Sequence, residues 1–398
     1  MPAEAVGSGV LAVARTWVGL HADRLYRGLI ALLVVAAIAG TFGGTWDAAW
    51  HVTLRRERFW SPPHILLYTG TTLSLIVSAA AILGALVLRW PTPGPWVWLR
   101  RPVPLGFAVA AVGASVILGA APLDDFWHRT FGADVDVWSF PHLVALGGGA
   151  VINIGAIMAI GADLRRIAGR AWGHRAAMLL FLSVLVWTSM FSLNWYTLVL
   201  ARWRDSFQYP ILLGLVAPAA LVIAARAFGR GGATVAALGY TIYTAAAHFT
   251  LARLGYALLP FPPMLLAPAI VIDLVLGGAR EQSWPRALGA GLLFAPVFLA
   301  AEAASLAWFP HPYVNGPPQG PLALSYFLAA GERPWDLTHV VKTLPIMAGV
   351  AAVSAVAGWG IGGLTRWVQG YQEGTLDPQS PAHRRDREGA TYRRLLPQ

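Results

Sequence analysis

Apolar runs of about 20 residues recur along this chain, each long enough to cross roughly 30 Å of hydrocarbon. We place ten such spans, near 28–46, 64–88, 103–122, 141–162, 176–200, 209–228, 233–258, 262–278, 287–309 and 337–364. In lipid the backbone must satisfy its own hydrogen bonds, so runs of this length predict α-helices. The expected fold class is an all-α polytopic membrane protein with about ten transmembrane helices. Only 12% of residues are charged, against about a quarter in ordinary soluble domains, which excludes a soluble globular fold.

The net charge of +10 raises the question of nucleic acid, and its distribution answers it. Of the 29 basic residues, 20 fall on the side that holds Arg24, Arg27, Arg89, Arg165, Arg226, Arg286 and the tail arginines. That asymmetry predicts cytoplasmic N- and C-termini in a multi-pass plasma-membrane protein, with no nucleic-acid partner. Residues 1–27 read as a cytoplasmic segment and 365–398 as a basic tail suited to anionic lipid. The first span, lacking a basic n-region and cleavage site before it, is expected to be retained. With no cysteine, thiolate metal sites and disulfides are excluded.

One polar pattern interrupts the apolar background twice. Trp46-Asp47-Ala48-Ala49-Trp50-His51 is followed by Phe59-Trp60-Ser61-Pro62-Pro63-His64, and Leu123-Asp124-Asp125-Phe126-Trp127-His128 by Val137-Trp138-Ser139-Phe140-Pro141-His142. Each copy closes one span and opens the next, so the repeat unit is a helix hairpin, and the inferred topology puts both copies at the extracytoplasmic face. Asp47 and His51 are four apart, as are Asp124 and His128, and residues four apart share a helix face. Proline early in the returning helix is well tolerated and brings His64 and His142 back beside the departing helices. Each hairpin can thus assemble two imidazoles and one carboxylate, a set suited to copper, zinc or iron.

Blander readings exist for each residue alone. A histidine near a span end is usually interfacial, a helix-end Asp is often a cap, and most of the 18 tryptophans fit interfacial belts. A duplication kept for packing could preserve the prolines and tryptophans, but has no need of Asp, His and His in both copies. Trp50, Trp60, Trp127 and Trp138 are expected to wall the sites against water. Arg58 in the first loop and Asp136 in the second are expected to pair if the hairpins lie side by side.

At these residues the chain resembles the histidine-rich membrane subunit of the copper membrane monooxygenases, the particulate methane and ammonia monooxygenase family. Asp47, His51 and His64 match that subunit's Asp-X3-His-X12-His set. His128 and His142 match the spacing of its second set, where Asp124 replaces the family's Asn and adds a negative charge. The resemblance covers about residues 28–163. It implies copper, dioxygen, a small substrate such as an alkane or ammonia, and further subunits, one bearing exported cupredoxin-like domains. No exported β-domain is read in this chain.

Residues 164–364 form a six-span region of open role, in which Asp273 and Glu302 lie at membrane depth, where ionisable groups face a bundle interior or a wet cavity. A Glu302–Arg253 pair or a proton path suits them. Trp335-Asp336-Leu337-Thr338-His339 is only a faint third copy, with Asp and His three apart. Gly147-Gly148-Gly149 is expected to let helices pack closely. The function expected is oxidation of a small substrate within a complex or homo-oligomer. The alternatives are a metal-ion transporter or delivery protein, and an assembly component braced by metal.

Overall fold

The computed structural model describes residues 3–54, 59–88, 95–98, 101–131, 139–166, 208–256, 264–277, 282–308 and 337–372. The chain is built almost wholly from helices: α1 (Ala3–Leu54), α2 (Pro62–Leu88), α3 (Leu105–Phe131), α4 (Phe140–Arg166), α5 (Gln208–Phe228), α6 (Gly232–Arg253), α7 (Leu266–Leu276), α8 (Trp284–Trp308) and α9 (Leu337–Gln372). Between α2 and α3 a short antiparallel hairpin pairs β1 (Pro95–Trp98) with β2 (Arg101–Pro104), a detail an all-helical expectation omits. Prolines at both ends of this stretch bar a continuous helix.

Among the described residues, seven helices are long and apolar enough to cross a membrane: Arg24–Asp47, Pro62–Leu88, Leu105–Phe131, Phe140–Ile160, Gly232–Arg253, Trp284–Glu302 and Lys342–Gly363. The expected span at 176–200 lies outside the described residues. The one at 262–278 shrinks to the 11-residue Leu266–Leu276, about 16 Å long at 1.5 Å per residue and too short to span. Pro262, Pro263 and Pro268 delay its start, and Gly277, at a φ of 67°, ends it. At the other extreme, residues expected as a separate N-terminal segment continue α1 back to Ala3.

Helices α1 to α4 form a closed ring in sequence order, α4 returning to α1. Lipid is as apolar as leucine, so helices here associate by close packing rather than by hiding from water. Glycine allows it. A Cβ on Gly70 would sit 2.6 Å from the Ala36 carbonyl oxygen, and one on Gly148 would sit 2.9 Å from that of Gly113. Gly113 lies 77 residues after Ala36, as Asp124 does after Asp47, so the packing is duplicated along with the polar pattern. Of the glycine triplet, only Gly148 makes such a contact; Gly147 and Gly149 face open space. Tyr26, Ile30, Leu33, Phe107, Ile117 and Ile160 fill the interior.

Far from the repeated motifs, Arg27 on α1 is paired with Asp163 on α4 at 3.1 Å, and Asp163 is only 1% exposed. By rise per residue this pair lies about 30 Å along the helices from Asp47 and His142, the thickness of a hydrocarbon core.

Helices α5 to α9 make a second bundle around Leu221, Tyr240, Phe294, Phe298 and Met347. Ser354 on α9 enters the backbone ladder of α5, its hydroxyl donating to the Leu215 carbonyl at 2.6 Å and accepting from Ala219 N–H at 3.1 Å. Pro218 stands beside this opened rung, a usual place for a helix to yield. Buried Arg226 donates to the Trp359 carbonyl, its guanidinium 4.5 Å from that indole's centroid.

Asp273, expected as a buried acid that would suit a transporter, is a helix cap supplied from a distance. Its carboxylate accepts from Ala233 N–H (3.2 Å), Thr234 N–H (2.7 Å) and the Thr234 hydroxyl (2.6 Å) at the start of α6. Gly231, the residue before that helix, has no side chain to do so. Asp273→Ala strands these donors in an apolar setting, and we expect a loss of about 2–4 kcal/mol, read as a lower melting temperature in detergent. Asp273→Asn, which keeps an acceptor oxygen, is expected to lose less.

Candidate metal centre

The two Trp-Ser-X-Pro-His stretches begin helices in the same way. Ser61 precedes α2 and its carbonyl accepts from Ile65 N–H at 2.9 Å; Ser139 precedes α4 and accepts from Leu143 N–H at 3.1 Å. The Ser61 hydroxyl also accepts from His64 N–H at 3.4 Å, the third helical position. Ser is therefore the N-cap, proline falls in the first turn, and both are explained by helix initiation. Helix initiation has no use for an imidazole at the third position, and both copies have one.

In the second copy the structure brings Asp124, His128 and His142 together. Their nearest nitrogen and oxygen atoms all lie within 4.8 Å of one another. Asp124, 8% exposed, places Oδ1 3.5 Å from His128 Nε2 and 3.2 Å from His142 Nε2, and this oxygen accepts no hydrogen bond. Ligand atoms at about 2.0–2.2 Å from one tetrahedral ion stand roughly 3.3–3.6 Å apart, so the spacing fits a metal. The neighbouring Asp125 is held elsewhere, by Arg129 at 2.7 Å.

In the first copy Asp47 Oδ2 lies 3.3 Å from His64 Nε2. The other ring nitrogen, Nδ1, is 3.1 Å from the Phe59 carbonyl oxygen. A carbonyl can only accept, so Nδ1 carries the proton, the arrangement by which metal-binding histidines are oriented. A neutral imidazole then turns the Nε2 lone pair toward the carboxylate, and two acceptors at this distance need a cation between them. An imidazolium proton meets that need as an ordinary ion pair; a metal ion meets it as well. His51 stands one helical turn after Asp47 in α1, and its side chain lies outside the described residues.

The aromatic surroundings differ from the expectation. Trp60 is 74% exposed and walls nothing. Phe59 and Tyr68 flank His64 instead, with ring centroids 6.4 and 5.8 Å from the imidazole, and stack on each other at 5.5 Å. The signal for Tyr68 was in the sequence, four residues after His64 on one helix face. Trp127 packs against Phe131 on its own helix and Trp50 against Tyr256. Trp138, Arg58 and Asp136 lie outside the described residues, as do Asp336 and the side chain of His339.

Both ligand sets occupy one end of the four-helix ring, and α2 packs on α3 between them. Tyr68 lies within electrostatic reach of both Asp47 and Asp124. No protein-family model, curated protein or solved structure matches this chain.

Proposed function

We propose that the N-terminal four-helix ring binds two metal ions at one membrane face, and that the chain serves as a copper-dependent component of a complex oxidising a small substrate with dioxygen. The observation that carries the metal reading is Asp124 Oδ1, buried between two imidazole Nε2 atoms and accepting no hydrogen bond. Copper is the choice because the Asp and His spacing resembles that of the particulate methane and ammonia monooxygenases, and imidazole suits it. In this reading the plasma membrane holds the protein, the metal sets face the extracytoplasmic side, and partners include a cupredoxin-bearing protein.

Bound copper would supply the one-electron and dioxygen chemistry. The chain's part is to hold and shield it. Asp124, His128 and His142 would hold one ion, and Asp47, His51 and His64 the other. Phe59 fixes the tautomer of His64 through its carbonyl, and the stacked Phe59 and Tyr68 rings limit water beside it.

Membranes containing the protein and its partners are expected to consume oxygen with an added reductant and small substrate, and His64→Ala is expected to abolish that uptake. Transport makes the opposite forecast: the purified chain in proteoliposomes would carry copper inward, and His64→Ala membranes would respire as before. Asp273, occupied as a helix cap, is a poor stepping stone for an ion and weighs against transport.

A further inference from the structure

We propose that the C-terminal bundle sets the geometry of the first ligand set, with Tyr243 and Tyr256 as positioning residues for the end of α1. The inference rests on the metal reading above and gives the C-terminal half a role in it.

The last turns of α1 are shared between the two bundles. Gly43 seats on Leu67 of α2, while Ala49, two residues after Asp47, is fully buried in the core of the C-terminal bundle. The Thr45 hydroxyl donates to the Thr41 carbonyl at 3.0 Å, which leaves its oxygen to accept from the Tyr243 hydroxyl at 3.4 Å. Trp46 meets Tyr256 edge-on with centroids 6.0 Å apart, and Trp50 meets the same ring at 6.2 Å. Asp47 thus stands between Thr45 and Trp46 before it and Ala49 and Trp50 after it, all gripped from the C-terminal bundle.

The turn after α6 is built to place Tyr256. Gly255 adopts a φ of 82°, open to glycine and costly for other residues, and Tyr256 N–H donates back to the Leu251 carbonyl at 3.0 Å. The left-handed step ends α6 and throws the ring against α1. The second set stands on α3 and α4, which pack within the N-terminal ring, so it serves as an internal control.

The test titrates copper, with a competing chelator, into the full chain in two backgrounds. His128→Ala/His142→Ala isolates the first set, and His64→Ala isolates the second. Adding Tyr256→Ala is expected to weaken copper about tenfold in the first background and leave the second unchanged, the scale seen when a group supporting a metal ligand is lost. Tyr243→Phe should shift the copper EPR spectrum of the first set only, and Tyr256→Phe, which keeps the packing, should bind as its parent does. Equal affinity with and without Tyr256, or an equal loss at both sets, overturns the positioning role. A first-set parent that binds no copper overturns the metal reading of that set instead.

Discussion

His128→Ala/His142→Ala is expected to lose one of two metal ions per chain, measured by mass spectrometry on protein purified without chelator. The variant removes two of three ligands and leaves Asp124, which alone cannot compete with water for a divalent ion. His51→Ala/His64→Ala should lose the other ion, and the combined variant both. A ligand that binds only the folded state at a thousand times its Kd stabilises by about 4 kcal/mol, so chelation of the wild type should lower its melting temperature. The fully substituted variant should melt at one temperature with or without chelator. If the wild type holds no metal and ignores chelator, the Asp–His contacts are ion pairs and the oxidase reading falls. Zinc in both sets would keep the sites and move the function toward transport or bracing.

Asp163→Asn is expected to cost about 3 kcal/mol, the lower end for breaking a buried pair. Asp163 is almost wholly buried, but Arg27 keeps 24% of its side chain exposed and can relax outward, which limits the loss. Replacing both partners with apolar residues of similar size should restore most of the stability, because the stranded charge disappears with its partner. Thermal melts of the two single variants and the pair give the coupling directly. Metal content should hold in all three, since the pair is about 30 Å of helix from either ligand set. A pair that melts no higher than Asp163→Asn would mean the carboxylate contributes something other than charge pairing.

Much of the N-terminal half was legible because its information is local. Asp47 and His51 share a face by their spacing, and Ser61 with its prolines starts the next helix whatever lies around it. The hairpin therefore carries its ligands in one continuous stretch, and the second copy repeats them. Choosing Asp124 over Asp125 was legible too, since only the first is four residues before His128. Trp60 shows the limit: an aromatic next to a motif reads as a wall, but which way the ring turns depends on the loop.

The sequence by itself determined a helical membrane protein, a duplicated hairpin, and the Asp and His positions within each copy. All of these follow from hydropathy, helical periodicity and turn chemistry over a few residues. Only the tertiary structure decided that Asp273 caps α6 from 40 residues away, that Arg27 meets Asp163 across 136, and that Tyr243 reaches Thr45 across 198. It also reduced the span expected at 262–278 to a short helix packed between α6 and α8. The physical reason is the same in each case. A buried polar group must find a partner, but nothing in its own stretch of chain says which distant helix will bring one.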